Sequence, residues 1–317
     1  PKNDFNDIEL ARQLVKDRDF ETIDMLYGSY NKVFSTLIRT TIIPPDGQMF
    51  AVADYSAIEA RLTAWFCDEV WRQKVFATTG KIYEASAAQM FHVPIESVTK
   101  GSELRKKGKV AELALGYGGG VSALERMGGT AMGLSDDEMK DIVYKWRLAS
   151  PNIKKMWYRV QDAAYKALRE KKRVNVAHGV NYHYQSGILF AQLPSGRRLA
   201  YVRPKLMPGK YGEEMTYEGT DQDTHRWGRQ KTWGGKLFEN LIQAIARDCL
   251  AAAMLRLDAA GYKIVMHIHD EVVVEVPKEG ARASLEKIER IMAEPLSWAP
   301  GVILTADGFI SEYYRKD

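Results

Sequence analysis

The chain has 317 residues, of which 45% are hydrophobic and 27% charged, with a net charge of +4 and a pI near 8.8. That length supports a large core and two or three subdomains, and the composition excludes a disordered or fibrous chain. The mild basicity permits a polyanionic partner without demanding one. Cys67 and Cys249 sit in apolar helical contexts and read as reduced core thiols of a cytoplasmic protein, not as a disulfide or metal framework. With no signal peptide and no apolar run of about 18 residues, no membrane partner is expected. The chain begins Pro1-Lys2-Asn3-Asp4 without Met, as a fragment or a processed product does.

In chain order, residues 1–35 are polar with apolar positions at helical spacing (Ile8, Leu14, Phe20, Ile23, Leu26). Pro44-Pro45-Asp46-Gly47 marks a turn. The run Met49-Phe50-Ala51-Val52-Ala53 predicts a short strand ending at Asp54. A helical pattern returns from Ile58 to about Phe91. Gly101-Ser102 caps a predicted helix from Glu103 to Gly116, which Gly118-Gly119-Gly120 stops. Ser135-Asp136-Asp137-Glu138 has the form of a capping box. Residues 174–202 alternate and turn at Leu193-Pro194-Ser195-Gly196-Arg197-Arg198, which predicts β-hairpin structure. A long helix is expected over Asn240–Ala260, closed by Gly261.

Met266 to Pro277 reads as one strand, M-H-I-H-D-E-V-V-V-E-V-P, with an Asp-Glu pair in its middle. Residues 279–294 suit an amphipathic helix and 302–314 a final strand. The fold class is therefore α+β: mainly helical, with a small antiparallel or mixed sheet assembled from distant parts of the chain and helices inserted between them.

Adjacent carboxylates in an apolar strand cost much unless a cation compensates them. Mg²⁺ binds one or two carboxylates together with substrate phosphates, and a pair of ions stabilises both oxygens of an in-line phosphoryl displacement. Asp54 and Asp270 have that chemistry, although a strand-end acid in a salt bridge or turn would look similar. Arg105, Lys109, Leu113 and Tyr117 recur every four residues and form one helical stripe. Two cations, an apolar side chain and an aromatic can hold a triphosphate and stack on a base; a solvated basic helix would share the spacing. Glu239, Gln243 and Arg247 line the polar face of the helix at 240–260, where Gln and Arg can reach minor-groove acceptors or phosphates.

Taken together, these segments resemble the three motifs of the family A DNA polymerases, the DNA polymerase I family, and especially its phage-encoded members. Asp54-Tyr55-Ser56-Ala57-Ile58-Glu59-Ala60-Arg61 resembles the first motif, Arg105-x-x-x-Lys109-x-x-x-Leu113-x-x-x-Tyr117-Gly118 the second, and His269-Asp270-Glu271 the third. The resemblance implies a right-hand architecture, a palm with inserted fingers. Residues 1–62 and 238–317 would form the palm, and 63–237 the fingers with connecting hairpins.

It also implies roles. Asp54, Asp270 and the Tyr55 carbonyl would hold two Mg²⁺ ions, for which Mn²⁺ can substitute, with Glu271 beside them. Arg105 and Lys109 would grip the incoming dNTP, and Lys109 would assist the leaving pyrophosphate. Glu59 would gate against the ribose 2′-hydroxyl, and Tyr117 would stack at the insertion site. Gln243, His269, Arg61, Arg198 and Arg247 would contact primer-template DNA. The setting implied is phage or prophage DNA replication in the cytoplasm of a bacterial host.

Three positions depart from the commoner pattern of the family. Ala57 replaces Gln, Leu113 stands where an aromatic packs on the sugar, and Tyr83 stands where a phosphate-contacting His is usual. No exonuclease domain is recognisable, and residues 1–35 are too short for a thumb. Grip on DNA is then expected to be weak and salt-dependent unless a thumb segment or an accessory replication protein supplies it. Glu59 argues against an RNA polymerase, and the lack of a Tyr-x-Asp-Asp strand against a reverse transcriptase. A palm-and-fingers module that binds DNA or a partner without turnover is the non-enzymatic alternative.

Overall fold

The computed structural model describes residues 7–209, 212–222 and 224–315. They divide into two compact units. One holds the described residues through Ser56, then Leu250–Glu294 and the segment from Thr305; the other holds Ala57–Cys249 and Pro295–Leu304. The division falls after Ser56 and Cys249. Residues 295–304 go with the second unit because their carbonyls bond its side chains: Trp65 Nε1 donates to Pro300 O at 3.0 Å and Arg61 Nη1 to Ile303 O at 3.2 Å.

The first unit opens with α1 (Ile8–Asp17), α2 (Phe20–Tyr27) and α3 (Tyr30–Leu37). Asp7 and Asp19 cap the first two through bonds to the Leu10 and Thr22 amides, and Ala11, Leu14, Ile23, Val33 and Leu37 form their shared core. Its sheet has the order β10-β1-β9-β8, every pair antiparallel. The strands are β1 (Gln48–Tyr55), β8 (Lys263–Ile268), β9 (Glu271–Pro277) and β10 (Ala306–Ser311); α12 (Ala281–Met292) packs on the sheet. Gly308 permits that approach, since a Cβ there would lie 2.3 Å from Val52 O and 2.7 Å from Leu285 Cδ1.

One sequence expectation is corrected here. Met266–Pro277 is not a single strand but a hairpin: β8 ends at Ile268, His269 and Asp270 form the turn, and β9 starts at Glu271. His269 takes a left-handed φ of 54°, so it does not share a sheet face with His267. The turn takes Asp270 out of the strand, while Glu271, the first residue of β9, stays buried. The final strand is also shorter than expected, 306–311 rather than 302–314.

The second unit contains α4 (Ile58–Phe66), α5 (Val70–Thr78), α6 (Ile82–Phe91), α7 (Glu103–Leu115), α8 (Val121–Arg126), α9 (Asp136–Ala149) and α10 (Pro151–Glu170). Ser135 and Glu138 form the expected capping box of α9. Beside the helices lies a six-stranded antiparallel meander: β2 (Val174–Asn175), β3 (Asn181–Gln185), β4 (Ile188–Gln192), β5 (Arg198–Gly209), β6 (Gly212–Thr220) and β7 (Trp227–Thr232). The last two strands extend the predicted hairpin region. α11 (Gly234–Ala259), somewhat longer than expected, follows, and its residues from Leu250 onward belong to the first unit. Trp65, Trp146 and Trp157 are buried, as are both free cysteines. Burial pushes both thiols up, that of Cys249 to about 12.

Candidate active site

In the first unit, the sheet register brings the acidic residues to one level. Phe50, Val52 and Asp54 alternate onto the same face of β1. There Phe50 and Val52 pack with Val273 and Tyr314. One step further along, Asp54 pairs across the sheet with Glu271 of β9 on one side and with Asp307 of β10 on the other. Directly opposed residues share a face with Cβ atoms about 5 Å apart, so three carboxylates stand in a row.

Hydrogen bonds fix this row. Tyr55 N donates to Asp270 O at 3.3 Å, which ties the end of β1 to the turn. Tyr55 is buried and its hydroxyl donates to Met292 O at 2.8 Å. Glu271 is buried and accepts from the Tyr314 hydroxyl at 2.9 Å. Burial and the Glu271 carboxylate push the Tyr314 phenol up to about 12. Ser56 N donates to Thr305 O at 2.9 Å and Ser56 Oγ to Asp307 Oδ2. Pairing β1 with β9 and its preceding turn thus unites Asp54, Tyr55, Asp270 and Glu271, distant in sequence.

The donor set is hard oxygen throughout, and like charges opposed across strands destabilise a sheet unless a cation neutralises them. It fits a hard divalent cation completed by substrate oxygens. Among the described residues no group of three or more His, Cys, Asp or Glu is placed to hold a metal ion by itself.

In the second unit, α7 is capped by Ser102, whose side chain accepts from Arg105 N at 3.3 Å. Lys109 and Leu113 are exposed and Arg105 and Tyr117 half-buried, so the predicted stripe forms an accessible face. The opposite face is locked. A Cβ on Gly108 would lie 2.3 Å from Tyr83 O, which sets the close packing of α6 on α7. Glu112, its side chain 5% exposed, pairs with Arg72 at 2.5 and 2.8 Å and accepts from Ser86 Oγ at 2.6 Å and Trp146 Nε1 at 2.8 Å. Trp157 Nε1 donates to Gly116 O at 3.0 Å, and the indoles of Trp146 and Trp157 stack in parallel, 6.3 Å apart. Arg105 Nε donates to Glu84 at 2.6 Å, with its guanidinium over the Tyr83 ring. Burial, then the Glu112 carboxylate, pushes the Tyr83 phenol up.

Glu59 lies in the first turn of α4, where an acid is favoured by the helix dipole. The residue before that helix, Ala57, is left-handed at φ 52°. Tyr117 donates its hydroxyl to Glu59 and packs its ring 5.9 Å from Phe238. Burial, reinforced by the Glu59 carboxylate, raises the Tyr117 phenol far above the ordinary tyrosine range.

Gln243 and Arg247 are exposed on α11, and Arg198 is exposed at the start of β5. The neighbouring Arg197 anchors that turn to α11, with Nε 2.5 Å from Asp248 Oδ1 and Nη2 2.7 Å from Ala244 O. Arg61 has a different setting: it is buried, bonded to Ile303 O and stacked on Phe76, which suits a framework role better than contact with DNA. Sequence reasoning missed Asp307 and Glu112. Asp307 becomes visible only through the strand register, and Glu112 only through its buried partners.

Known proteins resemble this chain in sequence and in fold. Residues 29–181 match the sequence profile of DNA polymerase family A. The chain is 56% identical over 319 residues to the DNA polymerase of Bacillus phage SP02, covering 100% of this chain and 49% of that protein. It is 24% identical over 261 residues to the DNA polymerase of Mycobacterium phage D29, covering 82% of this chain and 34% of that protein. Among solved structures, the POL domain of Pol1 from M. smegmatis, in complex with DNA primer-template and dNTP, superposes with a TM-score of 0.58 at 21% identity, over 87% of this chain and 42% of that one. At that identity the likeness speaks for the fold. The chain spans about half or less of the length of these curated relatives.

Proposed function

We propose that the chain belongs to DNA polymerase family A, whose profile its residues 29–181 match, and that it carries the polymerising part of a template-directed DNA polymerase, adding dNTPs to a primer 3′ end. The observation that carries this is the β1–β9 pairing, which sets Asp54 opposite Glu271 and ties Tyr55 to Asp270. The first unit is the proposed palm and the second the fingers.

Members of this family generally act with divalent metal ions; the ion proposed is Mg²⁺, with Mn²⁺ as a substitute. Asp54, Asp270 and the Tyr55 carbonyl would hold two such ions, and when bound these neutralise the attacking and leaving oxygens of the displacement. Glu271, held by Tyr314, keeps the neighbouring charge fixed. Asp307 is proposed as a positioning residue, which through Ser56 steadies the end of β1.

On α7, Arg105 and Lys109 bind the triphosphate, with Tyr83 as a neutral hydrogen-bond donor at its side. Lys109 is the proposed proton source for the leaving pyrophosphate. Leu113 lies on the same face in place of an aromatic. Glu59, fixed by Tyr117, restricts the space at the sugar 2′ position. Gln243, Arg247, His269 and Arg198 are the proposed DNA contacts. A thumb segment or an accessory replication protein is proposed to add grip, in the cytoplasm of a bacterial host. The described helices include none long and apolar enough to cross a membrane.

The test is extension of a labelled primer on a DNA template with Mg²⁺ and four dNTPs at low salt, with Asp270→Asn alongside. Extension by the wild type alone is expected. Full extension by Asp270→Asn would remove the metal assignment.

A further inference from the structure

Helices α9 and α10 meet along a groove that none of the roles above uses. A cavity of about 590 Å³ is lined from α9 by Lys140, Tyr144 and Arg147 and from α10 by Lys154, Lys155 and Tyr158. A second cavity, of about 460 Å³, continues along α10 past Arg159 and Lys166 to Asn175. Both belong to the second unit.

The spacing builds the surface. Lys140, Tyr144 and Arg147 follow at four and three residues and share one side of α9. Lys154, Lys155, Tyr158, Arg159 and Lys166 share one side of α10. Lys155 and Arg159 stand one turn apart and repel each other. Asp162 is the single acid in either lining, and Lys140 is paired with Asp137 at 2.9 Å. The aromatic groups face water: Tyr144 is 66% exposed and Tyr158 59%. Arg147 is tied to the rest of its unit. Its Nη2 donates to Gly119 O at 3.0 Å, in the loop that follows α7, while its buried Nε has no hydrogen-bond partner.

We propose that this groove binds single-stranded DNA, with phosphates against Lys154, Lys155, Arg159 and Lys166 and bases stacked on Tyr144 and Tyr158. Cations track a phosphate backbone, and exposed phenol rings stack on bases only where those bases are unpaired. Duplex DNA would meet the lysines and leave the tyrosines without partners, and an acidic peptide would do the same. The assignment rests on the groove alone and does not require the polymerase reading to hold.

The test uses fluorescein-labelled oligo(dT) in an anisotropy titration over a range of salt. The variants are Lys154→Glu/Lys155→Glu/Arg159→Glu and Tyr158→Ala, each checked for an unchanged circular dichroism spectrum. The triple variant is expected to weaken binding at least tenfold and to flatten the slope of log K against log salt by about 2, since each lost single-strand phosphate contact removes about 0.7. Tyr158→Ala is expected to weaken oligo(dT) binding roughly tenfold while leaving blunt duplex binding unaltered. Because oligo(dT) could also bind at the proposed polymerase site, location is read separately: oligo(dT) carrying 5-iododeoxyuridine should photocrosslink to peptides of α9 and α10. A folded triple variant that binds oligo(dT) as the wild type does, or crosslinks that fall only elsewhere, would overturn the proposal. So would a Tyr158→Ala variant that lowers duplex and single-strand binding equally. Loss of primer extension in the wild type would count against the polymerase reading but would leave these binding results interpretable.

Discussion

The Tyr117 hydroxyl donates a hydrogen bond to the Glu59 carboxylate, joining the end of the α7 stripe to the first turn of α4. Each group fixes the other, so the proposed sugar gate depends on both. Glu59→Ala is expected to lose about 10- to 200-fold of the preference for dNTP over rNTP, the range that one steric contact supplies. Tyr117→Phe keeps the ring, removes the donor and should produce a smaller loss of the same sign. The check is the ratio of kcat/KM for matched deoxy- and ribonucleotides. An unchanged ratio in Glu59→Ala would remove the gate.

Ser56 and Asp307 frame the carboxylate row from the β10 side. Outer partners of a metal site typically contribute 10- to 100-fold to affinity or activity. Ser56→Ala and Asp307→Asn are each expected to weaken Mn²⁺ binding within that range without lowering the unfolding midpoint. Calorimetric Mn²⁺ titration measures it. Unchanged affinity in both variants would reduce this pair to a surface contact.

Glu112 and Arg72 are paired inside the second unit, their side chains 5% and 2% exposed. Removing one partner leaves the other charge buried, which costs about 3–5 kcal/mol. Glu112→Ala should therefore destabilise the protein by about that much in a urea titration. Replacing both residues with apolar ones of similar volume should be less costly. A loss below about 1 kcal/mol for Glu112→Ala would mean that water reaches the pair.

Several phenols are raised by burial, among them Tyr314, pushed up from an ordinary value of 10 to about 12. A group whose folded pKa is raised contributes stability that is complete below its unfolded pKa and lost as pH rises through the folded one. Stability should therefore fall as pH climbs from 10 to 12. Tyr314→Phe should flatten that fall by up to one proton. Thermal unfolding across this window measures it, and a slope unaltered in the variant would contradict the assignment.

Much of the site was legible because its chemistry is confined to short segments. The β1 run through Asp54 and the stripe positions Arg105, Lys109 and Leu113 each lie within one element, so periodicity placed the elements, while their proposed roles came from the family resemblance. The hairpin at His269-Asp270 was not legible. Its turn lacks the Asn-Gly or Gly-rich signature of tight turns, and the flanking Ile and Val residues read as one continuous strand. Asp307 was hidden for a different reason: nothing in Ala306-Asp307-Gly308 signals a carboxylate opposite Asp54, a fact carried by the pairing of distant strands. Glu112 looked like any polar residue of a basic helix, because a buried ion pair depends on Arg72, forty residues away in the chain. Strands β6 and β7 escaped because their alternation is polar and only Met215, Thr216 and Thr232 are buried.

The central claim is that this chain turns over and does not merely bind. The most direct measurement follows one preparation of the wild type, Asp54→Asn and Asp270→Asn through two readouts with primed DNA, Mg²⁺ and the next correct dNTP at low salt. Anisotropy reports binding, and gel analysis reports addition of a single nucleotide. The account predicts that all three proteins bind primed DNA within a few-fold of one another and that only the wild type extends it. Binding by all three with extension by none would contradict it, and would leave the chain a DNA-binding module.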